Sequence, residues 1–247
     1  MTKIIVNADD FGYSKGVNLG IIEAHQEGIV SSTTLMTNMP GVEHAVELAR
    51  KNEQLGVGIH FVLDCGSPVN SNVPSLVDEN GRFLKSDQLI KSAKPEEIKM
   101  ELTSQIEKFF SFKRTPTHID SHHHIHRHKK VFSVVRELAE KYQLPIRRMS
   151  AKSDASLNYE GLKTVDYFND DFYGDELDVN SLKTILRKTK KYSTVEIMTH
   201  PAFIDDPILI GSSYNIQRVK ELGILTDLEI KRYSRENNLT MATYKDI

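Results

Sequence analysis

The sequence predicts an α/β fold: a distorted (β/α) barrel of about seven parallel strands, in a single domain over residues 1–247. Three observations carry this reading. Short apolar, β-branched runs alternate with amphipathic stretches along the chain, the pattern of parallel strands joined by crossover helices. A length of 247 residues is one that such a barrel commonly fills as one core. The residues suited to chemistry fall at the carboxyl ends of the predicted strands, which a barrel gathers on one face.

The elements follow in order. Residues 3–8 read as a buried strand running into Asp9-Asp10 and a turn at Gly12. Ser14 is placed to cap a helix with Val17, Ile21, Ile22 and Ala24 on its apolar stripe, and Gly28 stops it. Residues 33–37 form a second strand, 41–51 a helix, and 55–61 a third strand with His60 near its end. Residues 62–86 break the rhythm with Gly66, Pro68, Pro74 and Gly81; segments of this length are commonly lids or mobile binding segments. A turn is expected at Asp78-Glu79-Asn80-Gly81-Arg82.

Residues 95–112 are an amphipathic helix with Pro95 near its first turn. A short strand then enters a histidine cluster, 129–142 is helical, and 145–148 is another short strand. Residues 150–176 are a second irregular region. A helix over 180–191 leads to a strand over 193–199 that meets His200-Pro201. After a loop rich in Asp, Pro and Gly come helices over 215–222 and 227–237 and a closing strand over 239–242. Gly12, Gly16 and Gly20 are spaced four apart, so they make no dinucleotide-binding fingerprint and an open Rossmann sheet is disfavoured.

Composition narrows the partners. No apolar run approaches the roughly 20 residues of a membrane helix, and the chain starts on a strand rather than a signal peptide. A net charge of −2 argues against general nucleic-acid binding. Cys65 is the only cysteine, which makes a reducing, cytoplasmic setting the default. Neither nucleic acid nor a membrane is therefore the expected partner, and a homodimer is the expected assembly.

The chemistry centres on residues 117–128, which hold six of the ten histidines together with Asp120. Clustered imidazoles beside a carboxylate signal metal binding or proton transfer. One ion takes about four to six ligands in all, so not all six histidines can serve. Strand alternation puts His118 and Asp120 on one face, with His122 if the strand continues, and turns His123 away. His126 and His128 fall in the loop or first helical turn, as supporting, substrate-contacting or solvated groups.

Asp9-Asp10 offers one carboxylate for a cation and a neighbour free to act as a base, whereas a helix cap explains only one of them. His60 gains weight only from its company. Arg147 or Arg148 can hold a carboxylate or orient a base, or can pair on the surface. His200, at a strand end late in the chain, is a candidate proton donor, or else a histidine bonded to nearby backbone. His25 and His44 lie within helical patterns and receive no role.

The segments Asn7-Ala8-Asp9-Asp10-Phe11-Gly12, Gly58-Ile59-His60-Phe61, 117–126 and His200-Pro201-Ala202-Phe203 resemble the YdjC-like carbohydrate deacetylases, which include the chitooligosaccharide (chitin disaccharide) deacetylases. Ser31-Ser32-Thr33-Thr34 and Asp171-Phe172-Tyr173-Gly174 add to a resemblance that covers nearly the whole chain. It implies a β/α barrel related to polysaccharide deacetylases and a divalent metal, magnesium by family habit, although zinc, manganese and cobalt suit the same donors. By motif, Asp10, His60 and His122 would hold the metal and Asp9 would be the general base. His200 would be the general acid, by analogy with the wider superfamily. The implied reaction removes acetyl from an N-acetylated sugar or short oligosaccharide. His118, Asp120, His124 and Arg147 are expected to support the site, and Phe61, Phe172 and Tyr173 to offer stacking faces. Another metal-dependent barrel hydrolase or a sugar isomerase uses the same ligand types. A metal- or sugar-binding protein would leave Asp9 and His200 without a use.

Overall fold

A computed structural model describes residues 2–149 and 157–247; the first part of the expected irregular region, 150–156, lies outside the described residues. The strands are β1 Lys3–Phe11, β2 Ser32–Leu35, β3 Gly56–Phe61, β4 Ile119–Ser121, β5 Tyr167–Asn169, β6 Thr194–Thr199 and β7 Thr240–Met241. They form one parallel sheet, ordered β4-β3-β2-β1-β6-β5, with β7 also on β1. β6 takes one edge of β1 from Lys3 to Ala8. Along the other edge β7 pairs at Lys3 and Ile4, and β2 takes over at Asn7. β1 is the central strand, and every residue after Lys3 in it is buried. A strand covered on both faces reads as a continuous apolar run rather than an alternating one, as Ile4, Ile5 and Val6 do.

The helices are α1 Lys15–Gln26, α2 Val42–Lys51, α3 Ser86–Ser92, α4 Pro95–Ser111, α5 Lys129–Tyr142, α6 Val179–Thr189, α7 Asp206–Gly211, α8 Ile216–Thr226 and α9 Leu228–Glu236. Ser14 caps α1 by accepting from the Val17 N–H. One continuous core joins the helices to the sheet, from Ile4 and Val6 through Leu102 and Val135 to Leu225 and Ile230. The expected alternation of strand and crossover helix is present, curled as predicted. Among the described residues the sheet path keeps two edges, β4 and β5.

Several local readings change. The strand expected over 145–148 is reduced to one bridge, Ile119 with Ile146, because Pro145 has no N–H to continue a ladder. β5, α3 and α7 are absent from the sequence reading. They have three, seven and six residues, too short to show a period. The stretch after β3 is tied down rather than loose. Glu101 accepts from the N–H groups of Val69 and Asn70, Glu97 accepts from the Ser75 N–H, and Val73 and Leu76 enter the core.

Two glycines test this packing. A Cβ on Gly20 of α1 would lie 2.4 Å from the Ala202 Cα, where the chain leaves β6, whereas one on Gly223 of α8 meets nothing within 4 Å. Overpacking costs about 1–3 kcal/mol, and an exposed helical Gly→Ala change gains up to about 1 kcal/mol. Gly20→Ala should lower Tm by several degrees while Gly223→Ala leaves it equal or higher, as measured by thermal unfolding.

Candidate functional site

At the carboxyl ends of the strands a cavity of about 560 Å³ is lined by Asp9, Asp10, His60, His122, His124 and His200, with Tyr173 and Arg218 at its sides. Strand alternation alone would send Asp9 and Asp10 to opposite faces. Asp10 instead adopts φ 72°, and the pairing of β1 with β2 shifts register between Ala8 and Phe11. Such a bulge re-aims side chains at functional sites, and Asp is among the residues that tolerate this left-handed backbone. Both carboxylates therefore face the cavity.

Asp10, His60 and His122 come together as the motif implied. Asp10 Oδ1 accepts from His122 Nδ1 at 2.9 Å and lies 3.3 Å from His60 Nε2. One donor atom from each residue lies within 4.8 Å of the others. His60 Nδ1 donates to Asp120 Oδ1 at 2.7 Å, the imidazole–carboxylate pairing that aims a ligating histidine. Burial opposes charge on His60, but Asp120 and then Asp10 outweigh it and raise the ring to about 10. A cation there would take the place of that proton. Arg218, from α8, donates to Asp10 Oδ2 at 2.7 Å. Burial alone would raise the Asp10 carboxyl, yet Arg218 and His122 hold it well below the usual range. Arg147 and Arg218 together contact four carboxylates, those of Asp9, Asp10, Asp120 and Glu196. One carboxylate and two imidazoles converging in a buried pocket are a donor set that fits a divalent cation.

Arg147 settles its own ambiguity. It is fully buried, so it is no surface partner. Its Nη1 and Nη2 grip both oxygens of Asp9 at 2.7 and 2.6 Å, Nη2 reaches Asp120 at 2.9 Å, and Nε donates to Glu196 at 2.8 Å. Burial pushes the Asp9 carboxyl up, but Arg147 overrides that and holds Asp9 well below the ordinary carboxylate range. Asp9 is thus ionised and fixed in orientation. His200 Nε2 lies 4.0 Å from Asp9 Oδ2. Its backbone N–H donates to Glu221, its Nδ1 lies 3.9 Å from the same carboxylate and has no hydrogen-bond partner among the described residues, and Tyr173 and Tyr214 stand edge-on to its ring.

The other expected residues divide. β4 ends at Ser121, so His122 begins a tight turn, His122–Arg127, in which His123 and His124 both have positive φ. His124 lines the cavity; burial first, then Arg147, holds its pKa well below normal. His118 shares the interior face with Asp120 but is stacked on Tyr244 at 3.9 Å, away from the cavity wall. His126 is fully buried against Ser121 rather than solvated. Phe172 cannot be a sugar platform: it is fully buried in the core, as is Phe61. Tyr173 can, being 51% exposed and stacked on Tyr214 at 4.0 Å. Burial raises the Cys65 thiol to about 11, so the cavity holds no activated thiolate there.

Sequence reading missed Arg218, Glu196, Glu221 and Tyr214. Glu196 carried a signal, a charge inside the buried strand Val195-Glu196-Ile197. Arg218 carried none, since a helical arginine usually reads as surface. Removing one partner of a buried pair leaves uncompensated charge and costs about 3–5 kcal/mol. Arg147→Met should lose that much in chemical denaturation, against less than about 1 kcal/mol for Lys99→Ala in the exposed Lys99–Glu137 pair.

The chain is similar to proteins of known family and fold. The family model described as YdjC-like protein matches residues 3–236. A carbohydrate deacetylase of Geobacillus stearothermophilus is 51% identical over 98% of this chain and 96% of its own. A chitooligosaccharide deacetylase of Proteus mirabilis is 42% identical over 99% of this chain and 98% of its own. A crystal structure from Enterococcus faecalis V583, described provisionally as a cellobiose-phosphate cleavage protein, superposes with a TM-score of 0.95 at 37% identity, covering 99% of this chain and 98% of that one. A family 4 carbohydrate esterase from Streptomyces lividans shares the fold, with a TM-score of 0.51 at 8% identity over 98% of this chain and 91% of its own. With a match to the family model over nearly its whole length and half its residues shared with a curated relative, the chain belongs to the YdjC-like family.

Proposed function

We propose that this chain is a metal-dependent carbohydrate N-deacetylase that cleaves the acetamide of an N-acetylated amino sugar or short chitooligosaccharide-like substrate and releases acetate. The curated relatives named as carbohydrate and chitooligosaccharide deacetylases support the reaction class. The observation that carries the reading is the pairing of Asp9 with His200, 4.0 Å apart across a cavity that also holds Asp10, His60 and His122. Hydrolysis of an amide needs a group to take a proton from water and another to give one to the departing amine. A phosphoesterase or an isomerase would use the same acid–base pair, and the relatives named as deacetylases favour the amide. The homodimer, the single domain and the cytoplasmic setting belong to the same proposal.

Asp10, His60 and His122 would hold the cation, with Asp120 and Arg218 fixing them from behind. Bound there, a divalent ion supplies an acidified water and stabilises charge on the carbonyl oxygen, which is the complement that a base as weak as Asp9 requires. Arg147 keeps Asp9 charged and aimed, so Asp9 accepts the proton of the attacking water. His200, held by Glu221 through its backbone and outside the ligand set, delivers a proton to the sugar nitrogen as the C–N bond breaks. Tyr173, backed by Tyr214, offers its face to a sugar ring. Magnesium is the family expectation; mixed His and Asp donors also take manganese, zinc and cobalt.

The test is acetate release from N-acetylglucosamine and its oligomers by metal-stripped chain, before and after each metal is restored. No acetate with any metal and any of these sugars overturns the reading. Asp9→Asn and His200→Ala should each lower kcat by about 10²–10⁴-fold while metal content stays equal to wild type. His122→Ala should lose the metal itself, measured by elemental analysis. Tyr173→Ala should raise KM roughly two- to tenfold, the worth of a stacking contact, with kcat nearly unchanged.

A further inference from the structure

Beside the inner ligand His122 stand two further donors, Asp64 and His123, that the reaction above does not use. Asp64 follows β3 and is 2% exposed. Its Oδ2 accepts from His123 Nδ1 at 2.9 Å and from the Ser86 hydroxyl. Its Oδ1 is buried and, among the described residues, has no hydrogen-bond partner, an unfavourable state for a charged group. Lys85 lines the same cavity, but among the described residues no ion pair joins it to Asp64. His123 holds φ 49°, a left-handed conformation that non-glycine residues keep only where the surroundings enforce it. That backbone lays its ring 3.9 Å from the ring of His122. One donor atom each from Asp64, His122 and His123 lies within 4.8 Å of the others.

We propose that Asp64, His122 and His123 form a second, outer cation site of the zinc class, competing with the inner set for His122. Two imidazoles and one carboxylate, the donor types of the inner set as well, bind zinc readily, so zinc is the ion that reports on both sets. The site is open to solvent through His123, whose side chain is 62% exposed, whereas His60 and Asp10 of the inner set are at 1 and 2%. When an ion binds, the proton on His123 Nδ1 leaves to water and the ion takes its place beside Asp64. The unpartnered Oδ1 gains its missing partner. His122 Nδ1 lies 2.9 Å from Asp10 in the inner set, so drawing its ring toward Asp64 strips the inner ion of one of three protein ligands. Excess zinc is therefore an inhibitor.

This goes beyond the deacetylase reading, and zinc binding tests it independently of any activity. Zinc chloride is titrated calorimetrically into the metal-stripped full chain. Wild type should show two binding events. His123→Ala and Asp64→Asn should each weaken the lower-affinity event by about tenfold or more and leave the other. His122→Ala should weaken both, the signature of a shared ligand. Asp64→Asn disturbs a buried contact, but His123→Ala alters an exposed side chain and carries the test alone if the other variant fails to fold. With acetate release as the readout, excess zinc should inhibit wild type, and the half-inhibiting concentration should rise about tenfold or more in His123→Ala. One binding event in wild type, a second event untouched by His123→Ala, or no inhibition by zinc of an active enzyme overturns the proposal. Absence of acetate at every metal level would instead count against the deacetylase reading.

Discussion

Arg147 is the constraint on which the site depends. It is a fully buried guanidinium whose partners come from three strands: Asp9 of β1, Asp120 of β4 and Glu196 of β6. Such charges are tolerated away from water only when paired and hydrogen-bonded on nearly every side. Asp120 passes the constraint on by aiming His60, and Asp9 passes it on by facing His200. Beneath the arginine, Glu196 is pushed up in pKa mainly by burial, against the pull of Arg147, and takes a hydrogen bond from the Tyr244 hydroxyl. A curled sheet whose strand path ends at β4 and β5 among the described residues thus acquires an ionic cross-tie through its middle, at the height of the cavity.

Much of this was legible in the amino-acid order, and the reason is geometric. Parallel strands put every carboxyl end on one face, so Asp9, His60, Asp120 and His200 could be brought together from sequence position alone. What was not legible depends on contacts rather than position. Asp10 breaks strand parity through a single dihedral angle, which no pattern of residue types records. Arg218 reaches Asp10 from a helix whose pattern looks ordinary. Phe172 and Tyr173 are adjacent aromatics with opposite fates, one in the core and one 51% exposed. Their segment has no period long enough to tell them apart.

The histidine-rich run shows how neighbouring copies of one side chain acquire unlike properties. Burial leads the lowering at His118, His122 and His124, and takes His126 down to about 3, whereas a hydrogen bond to Asp64 leads the rise at His123. The tight turn is what separates them. Two positive-φ residues in succession send His123 toward the mouth of the cavity and His124 inward, where a regular helix or strand would have repeated a direction. Ser121 pins the turn from below by accepting the His126 N–H.

β7 and Tyr244 have a consequence for the order in which the site matures. Asp9 and Asp10 are made before their counter-charges: Arg147 for Asp9 comes later in the chain, then Glu196, Arg218 for Asp10, and the Tyr244 hydroxyl that bonds Glu196. β1 is paired along both edges at Lys3 and Ile4 only after β7 has been made. A nascent chain therefore holds both aspartates at the end of β1 before either arginine has been made. Docking of β7 brings Tyr244 to Glu196, so a chain stalled before it carries Asp9, Arg147 and Glu196 without the hydroxyl that completes their network.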